Sequence, residues 1–198
     1  MPQPKPDPSD QVLIAQLEHD GLEILPPIEA ASVSVPDLVE HAALLHDFRL
    51  EEIDLLCARM LHVRARPGQI LIAEDHSDNW MMLIFSGTID VTKRSPRTGE
   101  SSRLAVVQRG ATLGEMSMFD GEPRYASCAA IDTVEVGVLT RAAVAALIRE
   151  HPAIGAKLLV KLTQLLSQRL RNTSNQLVKL VNAGPMAQPL VIDGESRS

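Results

Sequence analysis

The chain has 198 residues, 45% of them hydrophobic and 22% charged, with a formal net charge of −6. That length holds one domain with a real core plus appendages and excludes two large ones, and the composition excludes a collagen-like or wholly disordered chain. Net acidity argues against a general nucleic-acid binder. Apolar runs fall far short of the ~20 residues that a membrane-spanning helix needs. The N-terminus shows no basic segment leading into an apolar stretch, so no signal peptide is visible and the expected compartment is the cytoplasm. Cys57 and Cys128, the two cysteines, are too few for a disulfide scaffold or a zinc site by themselves.

Seven of the 13 prolines lie in the first 36 residues. Residues 1–10 are therefore expected to be a disordered, extended tail. Residues 11–44 form an N-terminal helical or linker segment, with one short helix over 11–20 stopped by Gly21 and another helical spacing after Pro36. Leu50 to Met60 repeats that spacing, with acids in its first turn. The period then changes. Residues 61–139 hold seven of the 11 glycines and read as strands near 61–66, 69–73, 80–86, 88–94, 102–108, 126–131 and 134–139. Many short strands at close spacing predict an antiparallel β-roll or jelly roll, hence a mainly β, α+β fold with flanking helices. Thr140 is placed to cap a helix over 141–150, and His151-Pro152 opens a longer one over 152–182. The main domain is thus expected over 45–182, with 183–198 a flexible tail.

Charge is unevenly spread. Residues 1–150 carry 13 basic and 23 acidic side chains, whereas 151–182 carry Lys157, Lys161, Arg169, Arg171 and Lys179 and no acid. The simplest expectation is that these cations line a solvated helix face.

The segment from Gly110 to Cys128 interrupts the strands with a short helix near 115–119, introduced by Gly114. Glycine permits a tight turn, and the free N–H groups of a helix start favour an anion. Arg124, after a proline and before a strand, is held near that helix end, and its fork can grip two phosphate oxygens. Glu115 accepts only, so it suits a ligand hydroxyl. The arrangement fits a ligand with one phosphate and one nearby sugar hydroxyl. A surface ion pair between Glu115 and Arg124 is the alternative reading.

The pattern Gly-Glu, seven residues, Pro-Arg, one residue, Ala-Ser resembles the phosphate-binding cassette of the cyclic-nucleotide-binding domain family. That family includes catabolite activator proteins, kinase regulatory subunits and gated channels. Arg66 to Glu74 and Ile84 to Val91, with the turn at Gly87, resemble its early strands. Residues 140–152 resemble the helix that follows the roll. The resemblance implies that Glu115 binds the ribose 2′-hydroxyl and Arg124 the cyclic phosphate. It adds backbone groups of Gly114, Met116, Ser117, Tyr125 and Ala126. Two positions depart from the pattern: Asp75-His76 stands where the family often has Gly-Asp or Gly-Glu, and Tyr125 where a small residue is usual.

Leu162 to Ser174 is similar to the dimerising helix of the catabolite activator proteins. There a Thr-Ser pair meets the adenine, which implies Thr173 and Ser174 here, with Arg169 upstream. Independently, Leu159, Leu162, Leu166, Leu170, Thr173, Leu177 and Leu180 recur at three-or-four spacing and suggest a two-stranded seam. The alternatives are leucines that pack only on the roll and ordinary polar residues at 173 and 174. The resemblance implies a homodimeric receptor for cyclic AMP, with cyclic GMP the less favoured ligand. It would act without catalysis or cofactor and signal through another protein; no helix-turn-helix segment follows residue 182, so no DNA partner and no membrane partner is expected. Two other readings stand beside it: a ligand-independent interaction scaffold that keeps the fold, and an enzyme on a similar roll. His62 and His76 lack the His-x-His and carboxylate grouping of a metal-binding roll. Ser117 lacks the His and acid pattern of a nucleophile.

Overall fold

In the computed structural model, which describes residues 8–28 and 35–183, the apolar run Trp80–Phe85 becomes a strand buried on both faces. Alternate side chains of a strand leave on opposite sides, so this one run serves two cores. Trp80, Met82 and Ile84 join the core inside the roll, while Met81, Leu83 and Phe85 join a second core under the helices.

The described residues form, in order, α1 (Pro8–His19), β1 (Glu23–Ile24), α2 (Val35–His41), α3 (Leu50–Cys57), β2 (Leu61–Ala65), β3 (Ile70–Ile72), β4 (Trp80–Ser86) and β5 (Thr88–Arg94). They continue through β6 (Ser101–Gln108), β7 (Thr112–Leu113), α4 (Glu115–Asp120), β8 (Ser127–Ala130), β9 (Val134–Thr140), α5 (Arg141–Glu150) and α6 (Pro152–Ala183). One sheet runs β1-β2-β9-β4-β7 and the other β3-β8-β5-β6, and every pairing is antiparallel. The mainly β roll with flanking helices and a long C-terminal helix is the fold class the sequence implies. Thr140 Oγ1 accepts from the Ala143 N–H at 3.1 Å, the cap expected for α5.

Three local expectations need correction. Residues 8–10, read as part of a disordered tail, form the first turn of α1, because a proline there removes no helical hydrogen bond. Leu13 and Leu17 of α1 then bury against the roll, and Thr140 donates to Asp10 at 3.1 Å. Residues 1–7 and 184–198, the rest of the two expected tails, lie outside the described residues.

The cations of α6 do not share one solvated face. Lys157 donates to Glu52 at 2.5 Å and to the Asp47 carbonyl at 3.1 Å, and its ammonium lies 5.1 Å from the Phe48 ring centroid. Lys161 pairs with Asp47, and Arg169 with Glu115. The leucine seam also divides. Leu158 and Leu162 are fully buried in the helical core, Leu159 and Leu165 pack against it, and Leu170, Leu177 and Val178 are exposed.

The Lys157 ammonium, with the Arg49 N–H, holds the Glu52 carboxyl below its ordinary value of 4.5. A depressed carboxylate contributes stability above its unfolded value and loses it as pH falls through the folded one. Lys157→Met is therefore expected to lower the melting temperature at neutral pH. The gap to wild type should narrow as pH drops below 4.5; calorimetry across pH 3–7 checks both, as rough bounds of the titration range.

Candidate functional site

The loop between β7 and β8 turns on Gly114, whose backbone is left-handed at φ 85°. A Cβ there would sit 2.6 Å from Arg124 Nη1 and 3.0 Å from the Trp80 carbonyl oxygen. Glycine is required twice over, by conformation and by space. α4 then runs to a second left-handed glycine, Gly121, and the chain returns through Pro123 and Arg124 into β8.

Arg124 is only 2% exposed. Its Nη1 donates to the Gly114 carbonyl at 2.9 Å, its Nε meets Asp78 Oδ2 at 3.4 Å, and its Cζ lies 4.4 Å from the Trp80 ring centroid. Its Nη2 is buried with no partner. Burial pulls the guanidinium pKa down, and Asp78 acts in the opposite sense. The main chain is pinned as well: the Asp75 N–H donates to the Arg124 carbonyl at 2.9 Å, and the Arg124 N–H to the His76 carbonyl at 2.8 Å. Asp75 takes the left-handed conformation, φ 68°, so the turn forms without the family's glycine.

Glu115 is also 2% exposed. Its Oε1 accepts from Arg169 Nη1 at 2.8 Å and from the Thr112 hydroxyl. Arg169 Nη2 donates further to the Thr112 carbonyl at 2.5 Å. Glu115 Oε2 takes part in none of these bonds. Glu115 and Arg124 thus do not form the surface ion pair that their residue types allow; each is buried with other partners.

The remaining predicted positions separate. Ser117 is buried and Ala126 half-buried, whereas Met116 is exposed on α4. Tyr125 points outward at 59% exposure, its ring 4.6 Å from the Lys93 ammonium, which pairs with Glu74 at 2.8 Å. Thr173 and Ser174 are exposed on α6, and a single chain does not bring them to Glu115 or Arg124; Arg169, one turn earlier, does reach. Asp78, Trp80 and Thr112 are supporting residues that sequence reasoning did not single out. Burial pushes the thiols of Cys57 and Cys128 up to about 11 and about 12, so both stay protonated and serve as packing.

A buried cation with an unmet N–H beside a carboxylate with a spare oxygen suits an anion that also carries a hydroxyl. The family description "Cyclic nucleotide-binding domain" matches residues 62–151. The crystal structure of a cyclic nucleotide-binding domain from Methylobacillus flagellatus is 30% identical, covering 88% of this chain and 94% of that one with a TM-score of 0.74.

The chain belongs to the cyclic-nucleotide-binding domain family.

Two other relatives are longer. The Thermus thermophilus catabolite activator protein is 28% identical in its crystal structure, with 70% of this chain and 63% of that one covered and a TM-score of 0.64. The CRP-like cAMP-activated global transcriptional regulator of Mycobacterium tuberculosis is 27% identical over 145 residues, 73% of this chain. The chain spans 62% of the length of that regulator. In this cyclic-nucleotide-binding domain Gly114→Ala is expected to lower stability by about 1–2 kcal/mol from the left-handed backbone alone. It should also displace Arg124, whose Nη1 a Cβ would meet at 2.6 Å, so the loss read in a thermal melt should exceed that figure.

Proposed function

We propose that this chain is a receptor for cyclic AMP, which it binds without transforming. The observation that carries the reading is Arg124 Nη2, a charged donor buried with no partner. Such a group is costly unless an anion meets it. A cyclic phosphate offers two exocyclic oxygens to the guanidinium, and the neighbouring ribose offers its 2′-hydroxyl to Glu115 Oε2. Backbone groups of Gly114, Met116, Ser117, Tyr125 and Ala126 complete the pocket in this reading. Neither departure from the family pattern works against it: Asp75 adopts the glycine-like conformation, and Tyr125 leans out onto Lys93. A ligand-independent scaffold would have no need of a buried, half-satisfied arginine.

Cyclic AMP at 100 times its Kd should add about 2.7 kcal/mol of stability to the wild type. Arg124→Ala should cost roughly 3–5 kcal/mol of binding, by analogy with broken buried pairs. A calorimetric melt with and without ligand reads both. Near-wild-type affinity in Arg124→Ala would overturn the site.

The outer half of α6 supplies the second part of the reading. Leu170 at 69% exposure, with Leu177 and Val178, forms the seam of a homodimer, across which Thr173 and Ser174 meet the adenine of the partner's ligand. Hydroxyls both accept and donate, so the preference for adenine over guanine draws on the relative described as cAMP-activated. Leu170→Asp with Leu177→Asp should convert a dimer to a monomer in light scattering, with the roll intact by circular dichroism. Signalling then runs through an effector protein in the cytoplasm. Three of the five α6 cations are already paired within the chain, leaving little for phosphates of DNA. Anisotropy at physiological salt should show no sequence-dependent DNA binding.

A further inference from the structure

Two separate parts of the chain hold the Arg124 guanidinium. The stretch 78–80 gives it the Asp78 carboxylate and the Trp80 ring, and the turn into α4 gives it the Gly114 carbonyl. Arg141, the first residue of α5, bonds to both parts. Its main-chain N–H donates to the carbonyl of Asn79, the residue between Asp78 and Trp80, at 2.9 Å. Its side chain reaches α4, where Nε donates to the Met118 carbonyl at 2.6 Å and Nη2 to the Ser117 carbonyl at 3.3 Å.

α4 has only six residues, too few to hold its place by its own hydrogen bonds. The carbonyls of its last four residues have no partner further along the helix, and Arg141 grips two of them. The Met118 N–H donates in turn to the Gly114 carbonyl at 3.3 Å, the same oxygen that accepts from Arg124 Nη1. A line of hydrogen bonds thus runs from the Arg141 guanidinium through Met118 to the oxygen that receives Arg124.

We propose that Arg141 is a positioning residue for nucleotide binding: it ties α4 to the 78–80 stretch and so sets where Arg124 presents Nη2. It acts through Gly114 and Arg124, not on the ligand. Its side chain is the part that substitution removes, since the bond from its main-chain N–H to Asn79 is kept by any residue but proline. The effect on affinity rests on the cyclic AMP reading, whereas the placement of Arg124 by Arg141 does not.

Arg141 is exposed, so its variants should fold. Trp80 is the single tryptophan of the chain and lies against the Arg124 guanidinium, so its emission reports where Arg124 sits. In the ligand-free full chain, Arg141→Ala should shift that emission in the same direction as Arg124→Ala does. Its Kd for cyclic AMP, read by calorimetric titration, should rise about tenfold, the size expected for the loss of a charged hydrogen bond. Arg141→Lys, which keeps a donor but not the fork, should recover part of both changes. Arg149→Ala removes the same charge near the other end of α5 and should leave both at wild-type values. A wild-type Kd or wild-type emission in Arg141→Ala, no recovery with lysine, or an equal loss in Arg149→Ala would overturn the proposal. If the wild type does not bind cyclic AMP, the nucleotide reading fails, and the emission of the ligand-free variants still decides whether Arg141 places Arg124.

Discussion

A guanidinium buried with part of its hydrogen bonding unmet is the constraint around which the site is arranged. Arg124 leaves water for a place where one carbonyl, one distant carboxylate oxygen and an indole face are its partners. A desolvated cation is held there only because its backbone is clamped on both sides by the 75–76 turn and because Gly114 leaves it room. Trp80, at the start of the doubly buried β4, supplies the platform. The core inside the roll thus reaches the residue that needs the most support.

The second buried charge, Glu115, is tied to a different part of the molecule. Its partner Arg169 comes from α6, 54 positions along the chain. The first half of that helix is anchored by Leu158 and Leu162 in the core and by Lys157 and Lys161 on the acids at 47 and 52. Residues 168–179, beyond that anchored part, are exposed. A ribose hydroxyl arriving at Glu115 would alter the field felt by Arg169, at the point where the anchored half gives way to the free half. That position makes α6 the natural element to carry a change at the site outward.

Much of the fold was legible in local sequence. The alternation in Thr88–Thr92, the continuous apolar run of β4 and the cap at Thr140 each follow from periodicity or capping chemistry. The spacing of Gly114, Glu115 and Arg124 was enough to locate the loop in which both charged side chains are buried. The rest depends on long-range contact. Lys157 reads as a solvated cation until Glu52, 105 positions away, is folded against it. β1 and β7 are two residues each, too short for any period. Asp75 carries no glycine signal for its positive φ, and the prolines up to residue 8 hide the first turn of α1, whose remainder the helical reading of 11–20 anticipated. Asp78 falls between expected strands and Trp80 reads as the first residue of one; only their contact with Arg124 gives them a role at the site.

The central claim is that Arg124 Nη2 awaits a phosphate oxygen while Glu115 Oε2 awaits a ribose hydroxyl. A crystal structure of the chain grown with cyclic AMP tests it most directly. The account predicts a phosphate oxygen within hydrogen-bond reach of Nη2, with the 2′-hydroxyl on Glu115 and Arg124 still stacked on Trp80. A nucleotide bound elsewhere, or an Arg124 whose Nη2 remains without a partner in the complex, would contradict it.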